Sequence, residues 1–408
     1  MKIIIYGINY HPEVVGTGKY TYEMARYLQA NGFDVKVITA NPYYPKWRIF
    51  DGYNKYFYSS SCEEGIEVVR CPLYVPDSPN GLQRIMHLLS FTLSSLPVII
   101  LSIFWRPKII WTVQPTLLSS FNAIILSKLT FAKSWMHIQD FEVDAAFNMG
   151  ILKNNFFEKL SFLFEKLIYK SFTIVSTISK KMQEKLIAKG VEGSRTFLFP
   201  NWVNTNVIKP LDQDKQELKD FKLKTGIKKN EFVVMYSGNL GEKQGLEEVV
   251  NTAKLLTEHD DIKIILCGDG GGKEKLKSLS SGLRNIIWLN TQPNETFNLL
   301  LNTANVHLLP QIDEIEDLVM PSKLTGIFSS GKPVIASAQK DSEVYNQVLG
   351  KGLIIDKNKA KYFCEAILKL KNDRNLCIEL GNNARAFALE RLEKHVILNK
   401  FKNEIQRK

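Results

Sequence analysis

The stretch “MKIIIYGINYHPEVVGTGKYT”, residues 1–21, joins an apolar run to a glycine-rich segment. The apolar run predicts a β-strand over residues 3–6, and the pattern after the glycines predicts a helix over residues 21–31. A strand, a turn and a helix in this order form the repeating unit of a parallel sheet covered by helices. The glycines do not form a Walker loop, because Lys19 is followed by Tyr20, and they lack the third glycine of a dinucleotide fingerprint. Two alternatives remain, an anion-binding turn before a helix N-terminus and an ordinary mobile turn.

The same alternation recurs along the chain and is interrupted once, over residues 197–230, which are rich in proline, asparagine and charged residues. This pattern predicts two doubly wound α/β domains, and such sheets bind ligands outside the carboxyl ends of their strands. We therefore expect the site to lie between the domains. The later strand-like runs are “DVKVITA”, “KIIWTVQP”, “SWMHIQ” and “FTIVSTIS” before the interruption, and “EFVVMYSGN”, “DIKIILCGDG”, “NIIWLN”, “ANVHLLP”, “GKPVIAS” and “GLIID” after it.

The composition indicates a folded protein with an anionic partner. The chain has 408 residues, which is long for one core, and carries a formal charge of +11. That charge favours an anionic binding partner, which could be nucleic acid, a phosphorylated small molecule or an acidic lipid surface, and it does not distinguish these three. The five cysteines are never spaced as CxxC, so we expect neither a disulfide framework nor a zinc site. We expect the reducing cytoplasm as the compartment. The apolar run near the N-terminus is too short for a signal peptide.

Residues 88–105, “LLSFTLSSLPVIILSIFW”, contain no charged residue and are flanked by Arg84, Arg106 and Lys108. The length is at the lower margin for a membrane-spanning helix, and a proline and several hydroxyl side chains weaken that interpretation. We interpret the segment as an interfacial element, with a buried core helix as the alternative. Residues 151–190 combine lysines with phenylalanines, which supports a membrane contact and is explained nearly as well by a solvated basic helix face.

Three loops after predicted strands have the residue types of anion sites. Residues 16–21 and 237–245 combine glycines with lysine, and residues 320–326 open a helix with Pro, Ser and Lys. Backbone amides and an ammonium group together suit a phosphate. An ordinary turn or helix cap is the alternative for each loop.

A fourth loop, residues 137–144, carries His137, Asp140, Glu142 and Asp144. His137 and Asp140 follow a predicted strand, so an acid/base or substrate-orienting role is expected, with a structural histidine as the alternative. Zinc prefers more His or Cys ligands, and magnesium would need phosphate beside the carboxylates.

Taken in order, these loops resemble the retaining glycosyltransferases of family 4, and most of all their colanic-acid-type fucosyltransferase branch. The resemblance extends over nearly the whole chain. It implies an α/β GT-B fold, in which two Rossmann-like, doubly wound parallel-sheet domains face a central cleft. The stretches that carry it are “GINYHPEVVGTGKYTYEMARYLQANGFDVKVITANPYYP”, “HIQDFEVDAAF”, “YSGNLGEKQGLEEVV” and “LLPQIDEIEDLVMPSKLTGIFSSGKPVIAS”.

The resemblance also implies the domain roles. Residues 1–204 form an acceptor-binding domain that includes a membrane-associating segment at 84–108. Residues 205–388 form the domain that binds the nucleotide sugar. Residues 389–408 form a C-terminal helix that packs back on the first domain.

The implied activity is the retaining transfer of a hexose, with fucose as one candidate, from a GDP- or UDP-sugar to a polyprenyl-linked glycan. The product is an extracellular or capsular polysaccharide. The enzyme is expected to be cytoplasmic and peripheral on the inner face of the plasma membrane, on an anionic surface, without nucleic acid, cofactor or metal. A nucleotide-sugar 2-epimerase of similar fold and a non-catalytic nucleotide-binding peripheral membrane protein are the alternatives.

The resemblance assigns roles to the loop residues. The glycines of residues 16–21 approach the donor diphosphate, Lys243 neutralises the leaving diphosphate, and Ser322 and Lys323 hold it at a helix start. The implied catalytic residues are His137, Asp140 and Lys243. The implied donor-binding residues are Gly16, Gly18, Lys19, Gly238, Asn239, Lys243, Ser322, Lys323 and Leu324.

The sequence departs from the family pattern at two positions. Asn239 stands where many members have an arginine, so Lys243 supplies the positive charge alone or shares this role with Lys323. Gly326 stands where members have a glutamate that receives the ribose hydroxyls. Glu247 or Glu248 takes over that contact, or the contact is absent, and a glutamate introduced at 326 is expected to restore it.

Overall fold

The protein is described by a computed structural model that covers residues 1–13, 16–77, 79–115, 117–144, 155–241, 244–311 and 322–407, without the side chains of 155–158. The chain divides into two compact units, Met1–Pro200 with Leu398–Lys408, and Asn201–Ile397. The sequence predicts the division between residues 204 and 205.

The first unit is built on one large sheet whose neighbouring strands are parallel except for the pair at one edge. Its strands are β1 (Lys2–Tyr6), β2 (Asp34–Ala40), β3 (Ser59–Glu63), β4 (Ile66–Cys71), β5 (Ile109–Gln114), β6 (Lys133–Ile138), β7 (Ile174–Thr177) and β8 (Thr196–Leu198). They lie in the order β3-β4-β2-β1-β5-β6-β7-β8, and only β3 runs antiparallel to its neighbour. The central strand β5 is buried along its whole length, as expected for a strand covered on both faces, whereas the edge strand β3 is polar and exposed.

Helices connect these strands and cover the sheet. They are α1 (Gly16–Ala30), α2 (Gly81–Leu101), α3 (Ser120–Thr130), α4 (Asn155–Ser171) and α5 (Lys180–Ala188). The glycines of residues 16–21 therefore lie inside the first turns of α1. The predicted free turn ahead of a helix over residues 21–31 is wrong, since the helix begins at Gly16, whose φ of +63° a glycine adopts without strain.

The second unit contains a six-stranded sheet in which all neighbouring pairs are parallel. Its strands are β9 (Phe232–Ser237), β10 (Ile262–Cys267), β11 (Ile286–Leu289), β12 (Val306–Leu309), β13 (Val334–Ser337) and β14 (Gly352–Ile355), in the order β11-β10-β9-β12-β13-β14. Its helices are α6 (Gln216–Lys224), α7 (Glu247–Leu255), α8 (Lys273–Leu279), α9 (Asn294–Thr303), α10 (Lys323–Ser329), α11 (Glu343–Val348), α12 (Ala360–Asn372) and α13 (Arg374–Phe387). Each unit is a parallel α/β sheet with connecting helices, as the alternating sequence pattern predicts.

The chain ends with α14 (Lys394–Gln406), whose residues from Leu398 onward belong to the first unit. Phe401 is completely buried, and its ring stacks on Phe199 at 4.4 Å and meets the edge of Trp135 at 4.9 Å. Tyr27 of α1 donates a hydrogen bond to the Asn399 side chain at 2.6 Å. These contacts attach the C-terminal residues to the sheet and helices of the first unit.

The apolar segment predicted at 88–105 lies within α2 and the turn that follows it. One face of α2 packs on the sheet through His87, Phe91, Ser95 and Ile99. By length and composition α2 could cross a membrane, and only 22% of its most apolar stretch is buried inside the protein. The alternative of a buried core helix is therefore wrong.

Candidate active site

Two glycine loops of the second unit pack directly on each other. Gly238 follows β9 and Gly268 follows the neighbouring strand β10, with φ angles of +140° and +144°. A Cβ atom on Gly268 would lie 1.9 Å from the carbonyl oxygen of Gly238, so no side chain fits there. The Gly238 N–H donates to the carbonyl of Cys267 at 2.9 Å, and the Leu240 N–H donates to that of Asp269 at 2.8 Å. The result is a backbone surface without side chains at the carboxyl edge of the sheet, which suits the close approach of a phosphate.

One of these loops, “GDGGG” at residues 268–272, was not among the anion sites predicted from the sequence. Within it, Gly270 has a φ of +154°, and a Cβ atom there would lie 2.5 Å from the side-chain oxygen of Asn239. The glycine run itself is the signal that could have identified the loop, because it follows a strand and precedes a helix.

Lys323 at the start of α10 lies beside the Gly238 loop. Its Nζ donates a hydrogen bond to the Tyr236 hydroxyl at 2.9 Å and lies 4.2 Å from the centre of the tyrosine ring. The Tyr236 hydroxyl in turn donates to the carbonyl of Asn239 at 2.7 Å. Burial lowers the pKa of Lys323 to about 8. Among the described residues no carboxylate pairs with this ammonium group, so it is a buried cation without a protein counter-ion there.

The other predicted donor-binding residues of this unit have different surroundings. Ser322 occupies the N-cap position of α10, but its side chain makes no capping hydrogen bond. The Leu324 side chain is fully buried in the apolar core, which leaves only its backbone for a ligand. Lys243 lies outside the described residues.

Gly326, where the family carries a ribose-binding glutamate, faces apolar side chains. A Cβ atom there would contact Leu301 at 3.4 Å and Phe297 at 3.6 Å. The side chain of a glutamate introduced at this position would contact Leu301 and Phe297 with its first carbon atom. This apolar packing argues against the expectation that such a glutamate restores the ribose contact.

The two glutamates considered as replacements already have partners. Glu247 forms a salt bridge with Lys275 at 2.6 Å. Glu248 accepts a hydrogen bond from the backbone N–H of Ala360 at 2.8 Å, which fixes the start of α12. A ribose contact by either residue stays a prediction.

In the first unit, a buried carboxylate organises the residues before α1. Both the Tyr43 and Tyr44 backbone N–H groups donate to Oε1 of Glu13 at 2.9 Å, and the Asn9 side chain donates to Oε2 at 2.8 Å. Burial raises the pKa of Glu13 against the opposing effect of these three donors. A Cβ atom on Gly18 would lie 3.1 Å from that of Glu13, so the glycine makes room for the carboxylate. Gly18 thus has a structural role, in addition to the donor role implied for Gly16, Gly18 and Lys19.

His137 lies inside β6 rather than after it. Its Nδ1 is 2.9 Å from the Ser176 hydroxyl, its Nε2 is 2.9 Å from the Gln139 side chain, and its ring stacks on Trp111. The side chain is only 2% exposed, and burial lowers the pKa of His137 to about 3. The prediction that it follows the strand is therefore wrong, and this burial favours the structural alternative, whereas a contact with a ligand stays a prediction.

Asp140 follows β6 and lies near a second carboxylate. Burial raises the pKa of Asp140. Both oxygens of Glu142 accept from the Leu117 N–H, at 3.0 and 3.1 Å, and burial raises the pKa of Glu142 to about 7, with a further rise from the negative charge of Asp140. Asp144 forms salt bridges with Lys185 and Lys189 at 2.6 and 2.8 Å. No hydrogen bond or salt bridge joins the Asp140 side chain to another residue in the described part of the chain, so it is the acidic residue of this loop that we consider for a contact with a ligand at the carboxyl edge of the sheet.

No group of three His, Cys, Asp or Glu side chains that could hold a metal ion is found in the part of the chain that the structure describes.

Family models match most of the chain. Residues 15–202 match the glycosyl transferase 4-like domain, and residues 218–387 match the glycosyl transferases group 1. The putative colanic acid biosynthesis glycosyl transferase WcaI of Escherichia coli K12 is 36% identical, with 100% of both chains covered. The chain belongs to glycosyltransferase family 4. This family assignment supports the predicted glycosyltransferase rather than the epimerase or the non-catalytic nucleotide-binding protein.

Solved structures of the same fold confirm the GT-B prediction. Sucrose-phosphate synthase from Thermosynechococcus elongatus has a TM-score of 0.76 at 16% identity, with 100% of this chain and 98% of that chain covered. Anabaena Alr3699/HepE, in complex with UDP and glucose, has a TM-score of 0.72 at 15% identity, with 100% of both chains covered. At these identities the likeness shows the fold alone. The family 4 chain therefore consists of two parallel-sheet, Rossmann-like GT-B domains.

Proposed function

We propose that this glycosyltransferase moves a hexose from a UDP- or GDP-sugar to a polyprenyl-linked oligosaccharide during the assembly of an extracellular or capsular polysaccharide. The observation that carries the donor assignment is the buried Lys323 ammonium beside the Gly238 backbone, with no carboxylate paired to it among the described residues. A buried cation is costly unless an anion compensates it. A nucleoside diphosphate is such an anion. The name of WcaI supports the polysaccharide role, and the UDP complex of HepE supports the donor class.

The proposed chemistry needs no protein nucleophile. When the bond between the anomeric carbon and the phosphate oxygen breaks, negative charge accumulates on the departing diphosphate. Lys323 stabilises that charge with a donor that is already in place, beside the side-chain-free backbone of Gly238. The acceptor hydroxyl attacks from the same face and passes its proton to the departing phosphate, which retains the anomeric configuration. Asp140 orients the acceptor hydroxyl.

The first unit carries a surface suited to a lipid bilayer. Opposite its packed face, α2 and the turn after it expose an apolar stripe, and exposed apolar residues continue on α3 and α4. A helix held along a sheet by one face lies in the membrane interface rather than across it. The exposed residues are Leu82, Ile85, Met86, Leu89, Leu93, Ile100, Leu101 and Phe104, then Phe121, Ile125, Leu129 and Phe131, and Leu160, Leu163 and Leu167.

The charges around the stripe favour an anionic leaflet. Arg84, Arg106 and Lys108 flank the apolar part of α2, and basic residues near such a surface gain about 1 kcal/mol each from acidic lipids. We place the enzyme on the cytoplasmic face of the plasma membrane in this proposal, where its donor and its lipid-linked acceptor meet.

A donor panel tests the proposal. Calorimetry with UDP, GDP and their nucleosides identifies the base and the share of affinity that the diphosphate provides. Incubation with each nucleotide sugar, with and without a lipid extract containing polyprenyl-linked glycans, should release nucleoside diphosphate only when the extract is present. Binding without release in any mixture would contradict the proposed transfer.

A further inference from the structure

Aromatic side chains are concentrated in the loop that follows β2. This loop runs from the carboxyl end of β2, the edge at which parallel α/β sheets bind ligands. Aromatic residues make up 11% of the chain but eight of the eighteen residues between 41 and 58. They are Tyr43, Tyr44, Trp47, Phe50, Tyr53, Tyr56, Phe57 and Tyr58.

The first part of this loop is held rigidly. Glu13 accepts hydrogen bonds from two consecutive backbone N–H groups, those of Tyr43 and Tyr44. The Tyr43 ring is buried and packs 5.5 Å from Trp47 and 4.6 Å from His87. Trp47 itself has a φ of +52°, a conformation that a bulky residue adopts only when its surroundings enforce it.

Tyr44 presents its ring beside the start of α1. The ring is 38% exposed, and its Cε1 lies 3.8 Å from the position of a Cβ atom on Gly16. Gly16 is exposed and opens the helix that is expected to approach the donor diphosphate. A rigid, partly exposed aromatic ring at this place offers a flat apolar face to a ligand that binds next to the donor.

We propose that Tyr44 forms a stacking subsite for a pyranose ring of the acceptor saccharide, on a loop that the packing of Trp47 on Tyr43 and His87 helps to hold. The apolar C–H face of a sugar ring packs on an aromatic face, while its hydroxyl groups stay hydrated or find polar partners. This inference rests on the proposed glycosyl transfer and adds the residues that recognise the acceptor. It concerns the sugar rather than the lipid, because Tyr44 lies beside Gly16 at the helix start.

The second part of the loop contacts α2. The Tyr58 hydroxyl donates to the carbonyl of Ser94 in the middle of α2, at 2.8 Å. This contact brings the end of the loop to α2, and Tyr56 and Phe57 just before it are 70% and 68% exposed. We assign these two side chains to the proposed membrane surface, so that one loop would serve both the lipid and the saccharide of a lipid-linked acceptor.

Saturation-transfer NMR on the full chain with UDP or GDP present tests the subsite, with methyl β-D-galactoside, methyl β-D-glucoside and methyl α-L-fucoside as probes. Tyr44→Ala should weaken binding of the preferred glycoside about threefold to tenfold, whereas Tyr44→Phe should retain it. Trp47→Phe keeps a ring and should weaken it less than Tyr44→Ala. Tyr362→Ala, which removes a 41% exposed tyrosine of the second unit, is the matched control and should change nothing.

Three results would overturn the subsite: no glycoside binding by the wild type, unchanged binding by Tyr44→Ala, or a loss of vesicle binding by Tyr44→Ala with glycoside binding intact. The third result would assign Tyr44 to the membrane. Nucleoside diphosphate affinity, measured on the same samples, separates this inference from the proposed function. A protein that binds the diphosphate but shows one of these results refutes the subsite alone, whereas a protein that binds no nucleoside diphosphate refutes the donor assignment.

Discussion

Replacing Lys323 with methionine should weaken donor binding and stabilise the free protein at the same time. Methionine keeps the unbranched stem and removes the charge. Burial lowers the pKa of Lys323 from 10.5 to about 8, which corresponds to a penalty of up to about 3 kcal/mol for holding the ammonium group in the free protein. A charge-assisted hydrogen bond to phosphate contributes about 1.5 to 3 kcal/mol. The variant should therefore bind UDP or GDP roughly tenfold to a hundredfold more weakly, and its thermal midpoint without ligand should rise.

Calorimetry and thermal unfolding measure the two effects. Lys351→Met is the matched control, because Lys351 is also a partly buried lysine of the second unit and lies 4.6 Å from the Phe387 ring. It should leave diphosphate affinity unchanged. A nucleoside without phosphates should bind wild type and Lys323→Met alike. If Lys323→Met bound the diphosphate as tightly as wild type, the placement of the donor at α10 would be wrong.

Four further predictions concern pH, the first-unit residues and the membrane. Since Lys323 loses its proton above about pH 8, diphosphate affinity should be constant from about pH 7, where the terminal phosphate is ionised, to about pH 8, and should fall by up to about tenfold per pH unit above it; titration calorimetry measures this, and a flat profile above about pH 8 in wild type would contradict it. Asp140→Asn should lower turnover by roughly tenfold to a thousandfold with diphosphate affinity unchanged, and wild-type turnover would remove Asp140 from the mechanism. His137→Ala should lower the free energy of unfolding by about 2 to 4 kcal/mol while the folded fraction keeps most of its turnover, and a specific loss of turnover would restore a catalytic role. Leu93→Asp should reduce flotation with phosphatidylglycerol vesicles about tenfold or more, and equal flotation by wild type and variant would argue against α2 as the membrane surface.

The two sheets could be predicted from the sequence because apolar, β-branched runs at regular intervals specify buried parallel strands locally. Lys323 was also predictable, since a Pro-Ser-Lys helix start is a local pattern. Its pairing with Tyr236 was not, because the two residues are 87 positions apart and meet only through the tertiary fold. The requirement for glycine at position 268 was not predictable either. It arises because the carbonyl of Gly238, which follows the neighbouring strand, leaves no room for a side chain.

Two errors in the first unit have a common cause. His137 and the glycines of residues 16–21 both lie where a strand or helix meets a loop, and element boundaries are the least certain part of a sequence pattern. Because the strand extends to Ile138, the His137 ring is buried in the sheet. Because the helix begins at Gly16, the glycines lie in its first turns rather than in a free loop. Ser176, the partner of His137, lies 39 positions further along the chain, and Glu13, although close to Gly18 in sequence, is held in place by the backbone of Tyr43 and Tyr44, so neither contact could be predicted from the local sequence.

Analysis of the reaction product shows whether the enzyme transfers a sugar to the lipid-linked glycan. The wild-type enzyme is incubated with the nucleotide sugar that calorimetry selects and with purified polyprenyl-linked glycan, and the lipid-linked product is examined by mass spectrometry and by NMR of its new anomeric proton. We expect the addition of one hexose, in the anomeric configuration of the donor, with one nucleoside diphosphate released for each sugar transferred. An unmodified glycan together with an isomerised or intact donor would contradict it.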